Sequence, residues 1–332
     1  MTWLDRKSDD KTFDQAKAEI AAEIAKLNGD DHKLLDAALI SRTSRIREIA
    51  AMNPAENLAE AQRRVVATLS YDNMRADVPR GDIETNLATV AGGMNLGLSN
   101  GTFGWRLGAF MDNTEGSNNA TELKGTGVFA SADITHDAAG VRLFGGVTAG
   151  WASDKRERRL TVADQNQHFT ARSESFFGSV SGGVGLPVSV TDTFEVFPYA
   201  TLSYDVIRRG SFDEGSGAGA QEWDAETLGS AALEVGSGWQ ATFVDDRATW
   251  TLAGKAAWRN RFHRDEAENY AWSGIGDTAT EDFFLNKNSG LLRLSVTYQG
   301  SENQTFTVAV DGEAGDSGTK RLGAQAQWVY KF

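Results

Sequence analysis

Two periods divide the chain. Up to about residue 62 the apolar positions recur at helical spacing. Phe13, Ala16, Ile20, Ile24 and Leu27 form one stripe that ends at Asn28-Gly29, a helix-stop signal. Asp30 or Asp31 can cap a second stripe of Leu34, Leu35, Ala38, Leu39, Ile46 and Ile49, whose other face carries Arg42, Arg45, Arg47 and Glu48. This predicts a helix over Lys33–Met52, about 30 Å long, with Pro54 marking a new first turn and continuation to about Gln62.

From about residue 63 the period becomes two. One face of GVRLFGGVTAGWAS is Val141, Leu143, Gly145, Val147, Ala149 and Trp151. In ATWTLAGKAAWRNRF, Trp250, Leu252, Gly254, Ala256, Trp258 and Phe262 oppose Thr249, Thr251, Lys255, Arg259 and Arg261. Similar segments fall near 64–73, 86–99, 101–114, 121–136, 169–186, 193–209, 223–240, 291–299, 305–315 and 321–332. Most are about twice the length of a globular strand. Clean alternation over such a length needs an apolar medium on one side and a polar one on the other.

The polar face does not read as a solvated surface. It is rich in Gly, Ser and Thr, with sparse charges of both signs: Arg106, Asp133, Arg142, Glu234, Lys255, Arg259, Arg293, Asp311 and Glu313. These nine are the expected lumen-facing charges. The apolar face carries Trp105, Trp151, Trp239, Trp258, Tyr298 and Trp328 towards strand ends, as membrane-interface girdles do. A soluble sandwich would also alternate, but it would put its large residues inside and need more turns. The pattern therefore predicts an all-β transmembrane barrel of 12 antiparallel strands with an N-terminal α-helical segment. Closure removes the edges that such ribbons would expose.

Connections sort into two kinds. Short ones are expected near Ser99–Gly101, His136–Gly140, Pro187–Asp192, Thr242–Arg247 and Gly300–Asn303. Longer ones are expected near Met74–Thr85, Asp112–Ala120, Ser153–His168, Gly210–Glu222 and His263–Ser289, with Asp316–Gly318 a short link on the same side. Short periplasmic turns and long outer loops alternate in this way in outer-membrane barrels. The domain expectation is a helical stub over 1–30, a second helical segment over 31–62, and the barrel over 63–332.

Composition narrows the chemistry. A formal net charge of -13 argues against nucleic acid as a partner. The absence of cysteine removes thiol catalysis and Cys-based zinc sites. No run is long and apolar enough for a membrane helix, and the first residues do not read as a secretory signal.

The ordered succession of GVRLFGGVTAGWASDKRERR, FEVFPYATLSYDVIRRGSFDE and RLGAQAQWVYKF resembles the translocator domain of type V autotransporters over about residues 65 to 332. Within the middle stretch the resemblance lies in Pro198, Tyr199, Leu202, Tyr204, Phe212 and Glu214. It implies a monomeric barrel in the bacterial outer membrane that supports export of an N-terminal passenger, with a helix left in the pore. Lys33–Met52 is then the pore helix, and Arg42, Arg45 and Arg47 would meet lumen acids such as Asp133, Glu234, Asp311 or Glu313. The resemblance also makes Trp328, Tyr330 and Phe332 the signal read by the outer-membrane assembly machinery, with outer-membrane lipid as a further partner. It leads to the expectation that the chain is a translocator portion with a short stretch of passenger. Some relatives cut themselves at an Asn–Asn bond in the pore helix. Here Asn28, Asn53 and Asn57 stand alone, and the pair Asn118-Asn119 falls in a loop.

Two other readings have residues behind them. A diffusion porin would share the barrel but keep its lumen open. A barrel-type hydrolase would need a site, and His263 with Asp265, Glu266 and Asp282 is its best acid–base candidate. His32 lies at a helix start, His136 at an expected periplasmic turn and His168 near the outer rim. With no nucleophile elbow, phosphate loop or metal-ligand spacing, the expectation is a non-enzyme without cofactor or metal.

Overall fold

In the computed structural model the described residues are 30–54, 60–78, 81–116, 121–162, 165–216, 220–245, 248–264 and 286–332. One helix, α1 (Asp30–Ala50), precedes strands β1 (Arg63–Val78), β2 (Gly81–Leu98), β3 (Gly101–Gly116), β4 (Thr121–Ala138), β5 (Val141–Val162) and β6 (Gln165–Gly185). After the short β7 (Val188–Thr191) come β8 (Phe194–Arg209), the two-residue pair β9 (Phe212–Asp213) and β10 (Glu222–Trp223), and β11 (Glu226–Val244). The chain then runs through β12 (Thr249–Arg264), β13 (Asn288–Ser301), β14 (Gln304–Gly315) and β15 (Lys320–Lys331).

Setting aside β7, β9 and β10, every strand pairs antiparallel with its successor. β1 closes on β15 over the rungs from Arg64↔Lys331 to Arg75↔Lys320. The result is a closed barrel of 12 strands with one N-terminal helix. Closure gives every strand two partners, the only way a sheet can stand in hydrocarbon without unpaired backbone.

Alternation decides which way each side chain points. Leu69, Val90, Leu107, Val128, Val147, Phe176, Leu202, Leu252, Leu294 and Val308 are all exposed on the outside. Their neighbours in sequence, such as Thr68, Ser70, Thr89, Thr148 and Ser203, are buried inside. A soluble protein would show the reverse arrangement.

Strand lengths depart from the sequence expectation on one rim. The stretch Ser153–His168, expected as a loop, is a ribbon with rungs continuing to Val162↔Gln165. Likewise β1 and β2 pair to Val78↔Gly81, where Met74–Thr85 was expected to be a loop. In the first of these, charges on both faces masked the period. Asp154, Arg156 and Arg158 point inwards and are buried, while Lys155 and Arg159 point outwards. The helix also stops earlier than expected, at Ala50, and residues 51–54 are not helical. The predicted helix over Phe13–Leu27 lies outside the described residues.

Candidate functional site: the occupied pore

The helix lies inside the barrel. Leu35, Leu39 and Ile46 are at most 1% exposed and share one apolar cluster with inward-facing Leu123, Phe110, Phe177, Ile207 and Leu228. A pore lined only by polar groups could not hold them. The inward positions around the helix are therefore partly greasy, a feature the Gly/Ser/Thr-rich reading of that face missed.

Five charged residues fix the helix in depth and rotation, each against a different part of the wall. Near its start, Asp36 is shared by Arg156 of β5 and Arg209 of β8, the latter at 3.1 Å. Both guanidiniums lie over the Phe212 ring, at 4.8 and 5.0 Å, and Phe212 stacks on Trp223. The turn between β8 and β11 thus folds in over the helix start, and Arg158 ties it down through Glu214.

One turn and a half further on, Arg42 lies 2.9 Å from Asp112 of β3 and 2.7 Å from Asp154 of β5. Ser175 donates to Asp154 at 2.6 Å and holds that carboxylate in place. Arg45 meets Asp72 of β1 at 2.7 Å and Asp311 of β14 at 2.9 Å. Arg47 grips Asp205 of β8 through Nε at 2.9 Å and Nη2 at 3.2 Å. Glu48 points the other way, to Arg259 of β12 and to Arg321 of β15 at 3.4 Å.

Two wall glycines make room for these contacts. A Cβ at Gly125 of β4 would run into Asp112 and Arg42 and stand 2.8 Å from Asp154 Oδ1. A Cβ at Gly323 of β15 would run into Asp72 and stand 2.8 Å from Arg45 Nη2. Arg42 and Arg45 thus each lie over a missing side chain.

Below the helix, the chain runs along the wall towards the rim where β1 begins. Met52 is buried beside Gly104, and Arg142 donates to the Pro54 carbonyl at 3.1 Å while pairing with Asp137 at 2.6 Å.

The nine charges expected in the lumen all project inwards, but they do different work. Asp311 meets a helix arginine directly, and Arg259 meets Glu48. Glu234 and Glu313 hold Arg259 in position at 2.8 and 3.0 Å. Lys255 pairs with Glu234 and lies over the Tyr199 ring. Arg293 bonds Gln325, and Arg106 donates to the carbonyl of Trp105. Asp133 faces the Met52 backbone rather than an arginine of the helix. The acids that do meet Arg42, Arg45 and Arg47 include Asp72, Asp112, Asp154 and Asp205, none of them named from sequence. Strand parity was the available signal, since Asp112 shares the inward phase of Arg106 and Asp154 that of Arg142.

The hydrolase candidates are not brought together among the described residues. His263 is exposed on the outer face of β12 and stacks on Tyr204, while Asp265, Glu266 and Asp282 lie outside the described residues. His168 is also outward-facing, 3.4 Å from Glu157. Among the described residues no group of three or more His, Cys, Asp or Glu could hold a metal ion.

The family model of the autotransporter beta-domain matches residues 66–331, four-fifths of the chain. The chain belongs to the autotransporter β-domain family. The fold agrees with solved members. The translocator domain of the autotransporter NalP from Neisseria meningitidis superposes with a TM-score of 0.70 at 16% identity, covering 93% of this chain and 100% of that one. The beta domain of the Bordetella autotransporter Brka gives 0.58 at 12% identity, covering 81% and 98%. No curated protein matches the chain significantly. As an autotransporter translocator, this barrel anchors in the outer membrane and supports export of an N-terminal passenger. The family is a transport domain rather than a catalytic one. The porin alternative is not favoured.

Proposed function

We propose that α1 is the pore helix of this translocator, the last stretch of chain to follow the passenger through the barrel and the plug that seals it afterwards. The observation that carries this reading is the direction of the chain. Asp36 lies on the side where β5 and β6 rise highest, while Met52 and Pro54 approach the rim of the short turns and both barrel ends. In outer-membrane barrels short turns are periplasmic, so α1 starts on the outer side and ends on the periplasmic one.

Under this reading residues 1–30 adjoin the passenger, 31–62 are the linker and plug, and 63–332 the membrane anchor. Arg42, Arg45 and Arg47 lock the plug; Asp311 and Arg259 meet it, and Glu234 and Glu313 position Arg259. Trp328, Tyr330 and Phe332, which follow one another along one side of β15 at 6.1 and 5.0 Å, are the signal for the assembly machinery. The outward apolar band meets lipid, and the domain carries out transport without catalysis of its own.

The test is display. A reporter peptide fused ahead of residue 30 should be cut by protease added to intact cells, whereas one inserted in the 99–100 turn should be protected. Protection of the first, or cutting of the second, would reverse the assigned direction.

A further inference from the structure

On the outside of the barrel three cations stand in one rung across three adjacent strands. Lys124 of β4 is directly opposite Lys155 of β5, and Lys155 is directly opposite Arg172 of β6. Side chains so placed are about 5 Å apart at Cβ, and like charges there destabilise a sheet. Lys124 has Glu122 at 2.6 Å, and Lys155 has Glu157 on its own strand. Arg172 is exposed and has no carboxylate partner among the described residues. Glu174 shares this face, one rung nearer the apolar band, opposite Ser153.

The height of this rung identifies its surroundings. Two rungs below it stand Val128, Trp151 and Phe176, again directly opposite one another and all open to the outside. Four strand residues cover about 13 Å, which at a tilt of roughly 40° is about 10 Å of height. A rung that far above a tryptophan of the lipid-facing band lies in the headgroup layer, on the rim assigned to the cell exterior.

We propose that Lys124, Lys155 and Arg172 form a binding site for the phosphate groups of a phosphorylated glycolipid in the outer leaflet. A multivalent anion lying across the rung would screen the three cations from one another. Its acyl chains would run down over Val128, Trp151 and Phe176. The planar Arg172 guanidinium suits bidentate phosphate binding, and the two lysines act as point charges. The glutamates keep the rung from being a general anion sink: Glu122 and Glu157 neutralise part of the lysine charge, leaving Arg172 as the anchor. The proposal rests on the outer-membrane placement of the barrel, which insertion into bilayers tests separately.

The experiment uses the full chain refolded in detergent micelles, with binding of a purified bis-phosphorylated outer-membrane glycolipid followed by native mass spectrometry. Its enzymatically dephosphorylated form and inorganic phosphate are the comparison probes. The variant Lys124→Gln/Lys155→Gln/Arg172→Gln should bind the phosphorylated lipid about 100-fold more weakly, each cation near an anionic lipid surface contributing a factor of about five. Arg75→Gln/Lys320→Gln, an outward pair on β1 and β15, should bind like the parent chain. Equal binding by the triple variant, or equal binding of the dephosphorylated lipid, would overturn the site. Competition by millimolar inorganic phosphate would reduce it to a simple anion site and overturn the lipid assignment.

Discussion

Arg42 of the helix and Asp154 of the barrel wall, 112 positions apart in the chain, meet at 2.7 Å with both side chains at most 1% exposed. A buried pair of this kind adds little net stability, because both ions lose water, but breaking it strands a charge and costs about 3 to 5 kcal/mol. Its main effect is on position. Only one depth and one rotation of α1 bring Arg42 to Asp112 and Asp154 while Arg45 reaches Asp72 and Asp311.

Arg42→Ala should therefore loosen the helix far more than its volume suggests, because Asp112 and Asp154 would face each other without a cation. The expected outcome is frequent opening events in planar bilayers, at a stability cost in the range just given. Arg42→Ala/Asp112→Asn/Asp154→Asn should recover much of the quiet state. A triple variant as leaky as the single one would show that charge burial is not the cause.

Gly125→Val tests the same contact without touching a charge. The new side chain would fill the space taken by Arg42 and Asp112, so it should open the pore much as Arg42→Ala does. Gly290→Val, on a glycine with open space around it, should leave the bilayer traces unchanged. Similar behaviour of the two valine variants would dismiss the close fit.

On the membrane face, Leu294→Arg should cost about 2 to 4 kcal/mol near the midplane, read as a lower urea midpoint for the barrel refolded in liposomes. Ser295→Arg, one position on and facing inwards, should shift that midpoint much less. Equal midpoints would argue that the apolar band does not meet lipid.

Removing Phe332 should leave refolding in detergent nearly unchanged, since its ring is exposed and, among the described rings, touches only Tyr330. In cells the same deletion should sharply lower the amount of heat-modifiable barrel in the outer membrane, because recognition rather than packing is lost. Normal assembly in cells would remove Phe332 from the signal.

These contacts also mark how far the residues alone could lead. The period of two in segments such as Val141–Trp151 exposed the barrel directly, because lipid tolerates only apolar side chains and the parity of every strand follows. The ribbon beyond Trp151 was hidden, since both of its faces are charged once one side meets the helix and the other the headgroup layer. Arg42, Arg45 and Arg47 stood out as a basic cluster beside the apolar stripe of the helix. Their partners did not, because choosing Asp154 over Asp133 requires knowing how deep the helix sits, and no local pattern encodes depth. Gly125 and Gly323 were equally silent, as a glycine that yields space to a distant arginine looks like any other in a glycine-rich strand.

The most direct measurement of the central claim compares single-channel conductance of the full chain with that of a chain lacking residues 1–62, both refolded into planar bilayers. If α1 plugs the pore, the full chain is nearly silent and the truncated barrel shows a large, steady conductance. Equal conductance in the two would contradict a sealed pore and return the barrel to the porin reading.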